Sequence, residues 1–294
     1  MNQRRLSVES NDNTLFCTSL CNNQCIMCCQ PPSRNNDIDF FYNINLKRIK
    51  NAPKNLPFVC LTGGEPTLLG KKLVFLIKEI SETLPETDIL LLTNGRLFSN
   101  YYFAKEVALA GTRHLFVETE LHSDYYSDHN TIARAAASYQ ETIKGIYNLA
   151  SLDVNVTIRI IVCKHNYERL INLAEFIHKN LPFVARVIFI GMECTGFAYD
   201  NYEDVWVEPL KYQSNLTEAI EFLSEWNYKV CIYNIPLCLL PRILYPYAKK
   251  SISDWKNYYL PVCDRCIVKK ECCGLFTTSK ILFKGLTPIR HLFV

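Results

Sequence analysis

The sequence predicts an α/β protein: a partial barrel of six β/α units, open on one side, followed by a cysteine-rich extension. Three observations carry that expectation. Short β-branched and apolar runs alternate with amphipathic stretches up to about residue 228, the pattern of a parallel sheet with crossover helices. Six such units fall two short of a closed eight-stranded barrel. Beyond them the long periodic segments stop, and cysteine, proline and tyrosine become frequent.

The strands are expected over 14–20, 58–62, 88–93, 114–121, 154–162 and 185–190, with helices over 71–83, 100–110, 131–150, 167–180 and 211–226. "KKLVFLIKEISETL" shows the helical period well: Leu73, Leu76, Ile77, Ile80 and Leu84 share one face, and charges occupy the other. A short strand, "KVCIYN", leads into the extension. The expected organisation is an N-terminal arm (1–12), the barrel (13–228) and the extension (229–294), with no internal repeat. The extension has too few periodic elements to bury itself, so metal ligation is its expected organiser.

Composition excludes several classes. Of 294 residues, 49% are hydrophobic and 21% charged, enough apolar material for one large core and too much for a disordered chain. The 32 basic and 29 acidic side chains form no long run of either sign, so neither a nucleic-acid partner nor a polybasic membrane patch is expected. Apolar runs such as "VFLI" and "IIVC" are far too short to span a bilayer. The first residues lack the apolar core of a secretory signal, so a cytoplasmic location is expected.

The fourteen cysteines are the informative feature. Cytosolic thiols stay reduced, which argues against a disulfide framework. Cys60, Cys163, Cys194 and Cys231 sit singly among apolar neighbours and read as small buried hydrophobes. The others gather at the two ends of the chain. Near the start, Cys21, Cys25 and Cys28 stand as C-x3-C-x2-C on a loop after the first strand. Structural zinc takes four protein ligands, whereas a 4Fe-4S cluster on three cysteines leaves one iron open, and the adjacent Cys29 is poorly placed to complete a zinc site. The second strand ends in "LTGGEP", where Gly63 and Gly64, followed by Glu65, allow the backbone to approach a ligand that a Cβ would block.

"CNNQCIMC" after the first strand and "GGEP" after the second resemble the radical SAM superfamily. The resemblance implies that Cys21, Cys25 and Cys28 hold a 4Fe-4S cluster whose open iron binds the amino and carboxylate groups of S-adenosylmethionine. The glycine turn would receive the amino group. One electron then cleaves the sulfonium bond to give a 5′-deoxyadenosyl radical. The resemblance implies a place near the adenine for Met27, where many members carry an aromatic residue. The resemblance also extends the cofactor contacts to Asn94 in "TNG", Glu120 in "ETELHS", Arg159 in "TIRIIV" and Glu193 in "IGMECTGFA". His122, in "LHSDYYSDHN", is a candidate catalytic acid or base. Asp124, Asp128 and His129 read as a capped, solvated loop, and Tyr125 and Tyr126 could line a groove.

At the other end, Cys263, Cys266 and Cys272 form C-x2-C-x5-C, and Cys238 lies upstream in "YNIPLC". Four thiolates suit either structural zinc or an auxiliary 4Fe-4S cluster, and the residues leave both open. Analogy with the superfamily's cluster-bearing extensions favours iron-sulfur. The last ligand is Cys272 or Cys273, and spacing favours Cys272. The blocks "CNNQCIMCCQPP", "LTGGEPTLL", "GMECTGFA" and "SISDWKNYYLPVCDRCIVKKECCG" further resemble the radical SAM maturases of His-Xaa-Ser systems. That finer resemblance implies a precursor peptide with His-Xaa-Ser repeats as substrate and a second radical SAM maturase as partner. A reductant protein such as flavodoxin or ferredoxin would supply electrons. The rival readings are a radical SAM enzyme acting on a nucleotide, RNA or small metabolite, and a zinc-stabilised binding protein without catalytic activity.

Overall fold

The computed structural model describes residues 5–291; residues 1–4 of the expected arm and residues 292–294 lie outside it. Seven strands form one sheet in chain order: β1 (Thr14–Phe16), β2 (Phe58–Thr62), β3 (Asp88–Thr93), β4 (Leu115–Glu120), β5 (Asn155–Ile161), β6 (Arg186–Ile190) and β7 (Val230–Tyr233). The order begins at β1 and ends at β7, so the sheet is open, as expected of a partial barrel. Pairing is parallel, with Thr14 opposite Cys60, Phe58 opposite Asp88, Ile89 opposite Leu115 and Val187 opposite Val230. The helices are α1 (Ile38–Lys50), α2 (Lys71–Thr83), α3 (Tyr101–Gly111), α4 (Tyr126–Ala133), α5 (Ser138–Ala150), α6 (Leu170–Asn180), α7 (Phe197–Asp200), α8 (Tyr202–Val205) and α9 (Pro209–Glu225).

The chain divides into two compact units. Among the described residues, the first comprises 5–24, 31–121 and 134–158. It carries β1–β4 with α1, α2, α3 and α5. Leu73, Leu76, Ile77, Ile80 and Leu84, the apolar face expected of α2, are all fully buried, each removing a side chain from water at a gain of about 2 kcal/mol. The first strand is shorter than expected, because the chain turns at Thr18 and Ser19, whose hydroxyls and Ser19 N–H bond the Asp37 carboxylate just before α1. Helix α1 itself is not among the expected elements. Its inward positions are Asn45 and Ile49, and Asn45 Nδ2 donates to Phe16 O at 2.8 Å. A buried asparagine breaks the apolar stripe that marks a helix in sequence.

Among the described residues, the second unit comprises 25–30, 122–133 and 159–291. It carries the end of β5, β6, β7, α4 and α6–α9, with a small antiparallel pair, β8 (Asn257–Tyr258) and β9 (Leu275–Phe276), in the cysteine-rich segment. "KVCIYN", expected only as a lead into the extension, contributes β7, the seventh strand of the sheet. Val230 and Ile232 alternate inward, and Asn227 and Asn234 bound the strand in left-handed conformations, φ 61° and 63°. The helix expected over 131–150 is two, broken where Arg134 adopts φ 48°. His129, expected on a solvated loop, is buried on α4. No described helix is long and apolar enough to cross a membrane.

Candidate active site

In the first unit the ends of β1–β4 carry six of the expected site residues: Cys21, Gly63, Gly64, Glu65, Asn94 and Glu120. The loop after β1 carries Cys21. Against it lies the turn after β2, where Gly64 N donates to Thr18 O and Glu65 N to Leu20 O, both at 2.7 Å. A Cβ on Gly63, which has φ 151°, would lie 2.4 Å from Thr18 O, and one on Gly64 would lie 2.2 Å from Leu20 O. The close approach that demands glycine here is therefore to the protein's own backbone, on the segment leading to Cys21. With the Gly64 and Glu65 N–H groups so used, the turn's carbonyl oxygens are what it can offer a ligand.

Glu65, expected among the cofactor contacts, points its side chain into the protein. Its carboxylate is fully buried and accepts from Thr67 N at 2.9 Å, Thr67 Oγ1 at 2.6 Å, Thr93 Oγ1 at 2.7 Å and Asn94 N at 2.7 Å. Burial pushes its pKa up against the pull of these four hydrogen bonds. The result ties the end of β2 to the end of β3. Asn94 in turn donates from Nδ2 to Asn22 Oδ1 at 2.6 Å, and the same nitrogen lies 3.9 Å from Cys21 Sγ. Asn23 N donates to Cys21 Sγ at 3.4 Å. Burial, with the charges of Glu65 and Glu120, pushes the Cys21 thiol up to about 12, so Glu120 at the end of β4 is within electrostatic reach of it. A cation or cluster at Cys21 has to displace that proton, and its positive charge favours doing so. Asn22, Asn23 and Thr67 are partners that sequence reasoning missed. The Asn22 contact joins segments 72 residues apart, whereas Asn23 and Thr67 each bond a residue two positions away and carry no motif that announces it.

In the second unit Cys25 and Cys28 close a turn, Cys28 N donating to Cys25 O at 3.0 Å. The turn is clamped from two sides. Ile26 N donates to Ile132 O of α4 at 2.9 Å; Phe197 N at the start of α7 donates to Cys28 O at 2.9 Å, and Asn201 Nδ2 to Ile26 O at 2.8 Å. Met27 is buried within it. Arg159 lies half-buried on β5. Glu193, expected near the adenine, has its carboxylate on Lys256 Nζ at 3.2 Å and on the Thr278 hydroxyl, which ties the loop after β6 to the cysteine-rich segment. His122 is buried with its Nδ1 unbonded, its ring 5.2 Å from that of His129, whose Nδ1 accepts the His122 backbone N–H. Burial pushes His122 down to about 4.

Farther along this unit, Cys238, Cys263, Cys266 and Cys272 line one cavity of about 30 Å³ with Leu237, Val268 and Leu275 among its apolar walls. The charges of Cys272, Cys263 and Cys266 add to burial in raising the Cys238 thiol, so all three lie within electrostatic reach of Cys238. Cys272 is pulled down to about 6, chiefly by the thiol of Cys273, with Gly274 N–H and Lys250 assisting against burial. Cys273 does not line the cavity. It packs with Ile252 and Phe276. Among the described residues, no three His, Cys, Asp or Glu side chains are grouped as they would be around a single metal ion.

Residues 15–177 match the model of the radical SAM superfamily. The GTP 3′,8-cyclase of Campylobacter jejuni is 29% identical over 182 residues, covering 59% of this chain and 53% of the cyclase. The chain thus spans about half the length of the curated relatives it matches. Among solved structures, Streptococcus suis SuiB bound to S-adenosylmethionine matches with a TM-score of 0.60 and 15% identity, over 80% of this chain and 51% of SuiB. SuiB bound to precursor peptide SuiA matches with a TM-score of 0.58 and 13% identity, over 82% and 52%. At such identities the likeness is one of fold. These relatives are not maturases of a His-Xaa-Ser system, and they lend that finer resemblance no support.

Proposed function

We propose, from the premise that this chain belongs to the radical SAM superfamily, that it cleaves S-adenosylmethionine reductively at a 4Fe-4S cluster on Cys21, Cys25 and Cys28 and modifies a ribosomally made precursor peptide. When bound, the reduced cluster supplies one electron to the sulfonium, releasing methionine and a 5′-deoxyadenosyl radical that removes a hydrogen atom from the substrate. The observation that carries the chemistry is the junction at Cys21: two N–H groups face its sulfur, and the glycine turn packs against the segment before it. Three thiolates leave an open iron for the cofactor's amino and carboxylate groups. The carbonyls of Gly63 and Gly64 carry the right sign for its ammonium, and Arg159 for its carboxylate. Met27 supports the adenine, and Glu120 the ribose hydroxyls. Glu193 has a lesser part, since Lys256 and Thr278 already hold its carboxylate.

At the C-terminal site four soft thiols with apolar walls suit an iron-sulfur cluster. The electron donor is a reductant protein such as flavodoxin or ferredoxin, and a second radical SAM maturase remains part of the proposed system.

The peptide reading is supported by likeness of fold to SuiB, whose structure with SuiA holds a precursor peptide. A second reading, a nucleotide substrate, is favoured by the 29% identity to the GTP 3′,8-cyclase. Anaerobic incubation of the reconstituted chain with S-adenosylmethionine, dithionite and either a small peptide encoded beside it or GTP separates the two by mass spectrometry. A cofactor-dependent change in peptide mass is the expected result; GTP consumed beside an unchanged peptide would replace it with the nucleotide reading.

A further inference from the structure

Arg96 follows the turn after β3, and its guanidinium, 14% exposed, is held on three sides. Nε donates to Glu141 Oε2 of α5 at 2.6 Å. Nη1 donates to Asn23 Oδ1 at 2.8 Å and to the backbone carbonyl of Asn22. Both asparagines belong to the loop between Cys21 and Cys25. The turn that carries Arg96 is itself seated on α5: Thr142 Oγ1 donates to Asn94 O at 2.8 Å, and a Cβ on Gly145 would lie 2.3 Å from Gly95 O. Asn94 supplies a second strut, accepting Arg96 N at Oδ1 and donating to Asn22. A rigid path thus runs from α5 through the turn to the residues directly after Cys21.

We propose that Arg96, braced by Glu141, is a positioning residue for the cluster on Cys21, a role that rests on the radical SAM reading above. Its function is to hold Asn22 and Asn23 so that the Asn23 N–H, 3.4 Å from Cys21 Sγ, stays aimed at the sulfur. N–H groups directed at a cluster thiolate stabilise its reduced, more negative form and raise its reduction potential. Lysine cannot replace the arginine, because the role needs several donors in fixed directions rather than a positive charge alone.

The test uses the full reconstituted chain and follows iron release to a ferrous chelator, with Cys21→Ala defining the iron that belongs to the N-terminal site. Metal at the C-terminal thiols serves as an internal control for folding. Arg96→Lys is expected to lose N-terminal iron at least ~10-fold faster than wild type, the scale seen when residues that orient metal ligands are removed. C-terminal metal should leave at the wild-type rate. Glu141→Ala should follow Arg96→Lys, and Glu141→Gln, which keeps an acceptor for Nε, should lie between it and wild type. Iron remaining in Arg96→Lys should show a more negative midpoint potential by electron paramagnetic resonance titration. Wild-type release from both Arg96→Lys and Glu141→Ala would overturn the proposal, as would equal acceleration at both sites, which marks a general loss of stability. A wild-type chain that takes up no more iron than Cys21→Ala would instead bring down the radical SAM reading of the cysteines beneath it.

Discussion

Glu65 Oε2 accepts the backbone N–H of Asn94 at 2.7 Å, and this bond ties the turn after β2 to the turn after β3. Because Asn94 also reaches Asn22, a carboxylate that never faces a ligand sets the position of the loop beyond Cys21. Removing it strands two buried backbone donors, Thr67 N and Asn94 N. Glu65→Ala should therefore destabilise the fold by about 3–5 kcal/mol, at 1–3 kcal/mol for each unsatisfied group. Glu65→Gln keeps acceptor oxygen and should cost roughly 1–2 kcal/mol. Urea unfolding measures both; equal stability of Glu65→Ala and wild type would show that the buried bonds contribute nothing.

Gly64 offers a sharper geometric test. Its hypothetical Cβ meets the Leu20 carbonyl, which is backbone and cannot rotate away. Gly64→Ala should lower stability by about 3 kcal/mol, at the upper end of overpacking costs. Gly70→Ala serves as the contrast: nothing lies within 4 Å of its Cβ, and only its φ of 55° opposes the change. A cost at Gly64 no larger than that at Gly70 would show that the approach to Leu20 O does not make glycine necessary at Gly64.

His122 gives the fold a pH dependence whose sign is fixed by burial. Its folded pKa, about 4, lies below the ordinary 6.5, so the neutral ring is the form the fold prefers. The contribution is complete above pH 6.5 and is lost as pH falls toward 4. Between pH 7.5 and 5 wild type should lose about 2 kcal/mol more unfolding free energy than His122→Asn. Parallel stability profiles for the two proteins would contradict this.

What could be read from the linear chain divides by the range of the interaction. The α2 stripe from Leu73 to Leu84 is a local pattern, and every member is buried. The four cysteines from Cys238 to Cys272 announce themselves by residue type, and they line one cavity. The inward turn of Glu65 is not legible, because a charged residue beside two glycines reads as solvent-facing; its partners Thr93 and Asn94 lie 28 and 29 residues away. Arg96 is hidden for the same reason, with its partners Glu141 and Asn23 at separations of 45 and 73 residues. β7 was visible as a strand, but its place in the sheet depends on pairing with β6, which no local pattern encodes.

The adjacent cysteines Cys272 and Cys273 should behave oppositely. Cys272 faces the cavity, whereas Cys273 packs with Ile252 and Phe276. Cys272→Ser should abolish metal at the C-terminal site. Cys273→Ala should keep it and lose about 1–2 kcal/mol of packing. Metal analysis on the two variants decides the matter, and loss of metal in Cys273→Ala alone would reverse the assignment.

The central claim is that Cys21, Cys25 and Cys28 hold the cluster that cleaves S-adenosylmethionine. Its most direct test is 5′-deoxyadenosine formation by anaerobically reconstituted protein with dithionite, comparing wild type with the variant carrying alanine at all three cysteines. Wild type should produce 5′-deoxyadenosine and methionine in equal amounts, and the triple variant none, while retaining the metal of the C-terminal site. Undiminished 5′-deoxyadenosine from the triple variant would contradict the claim.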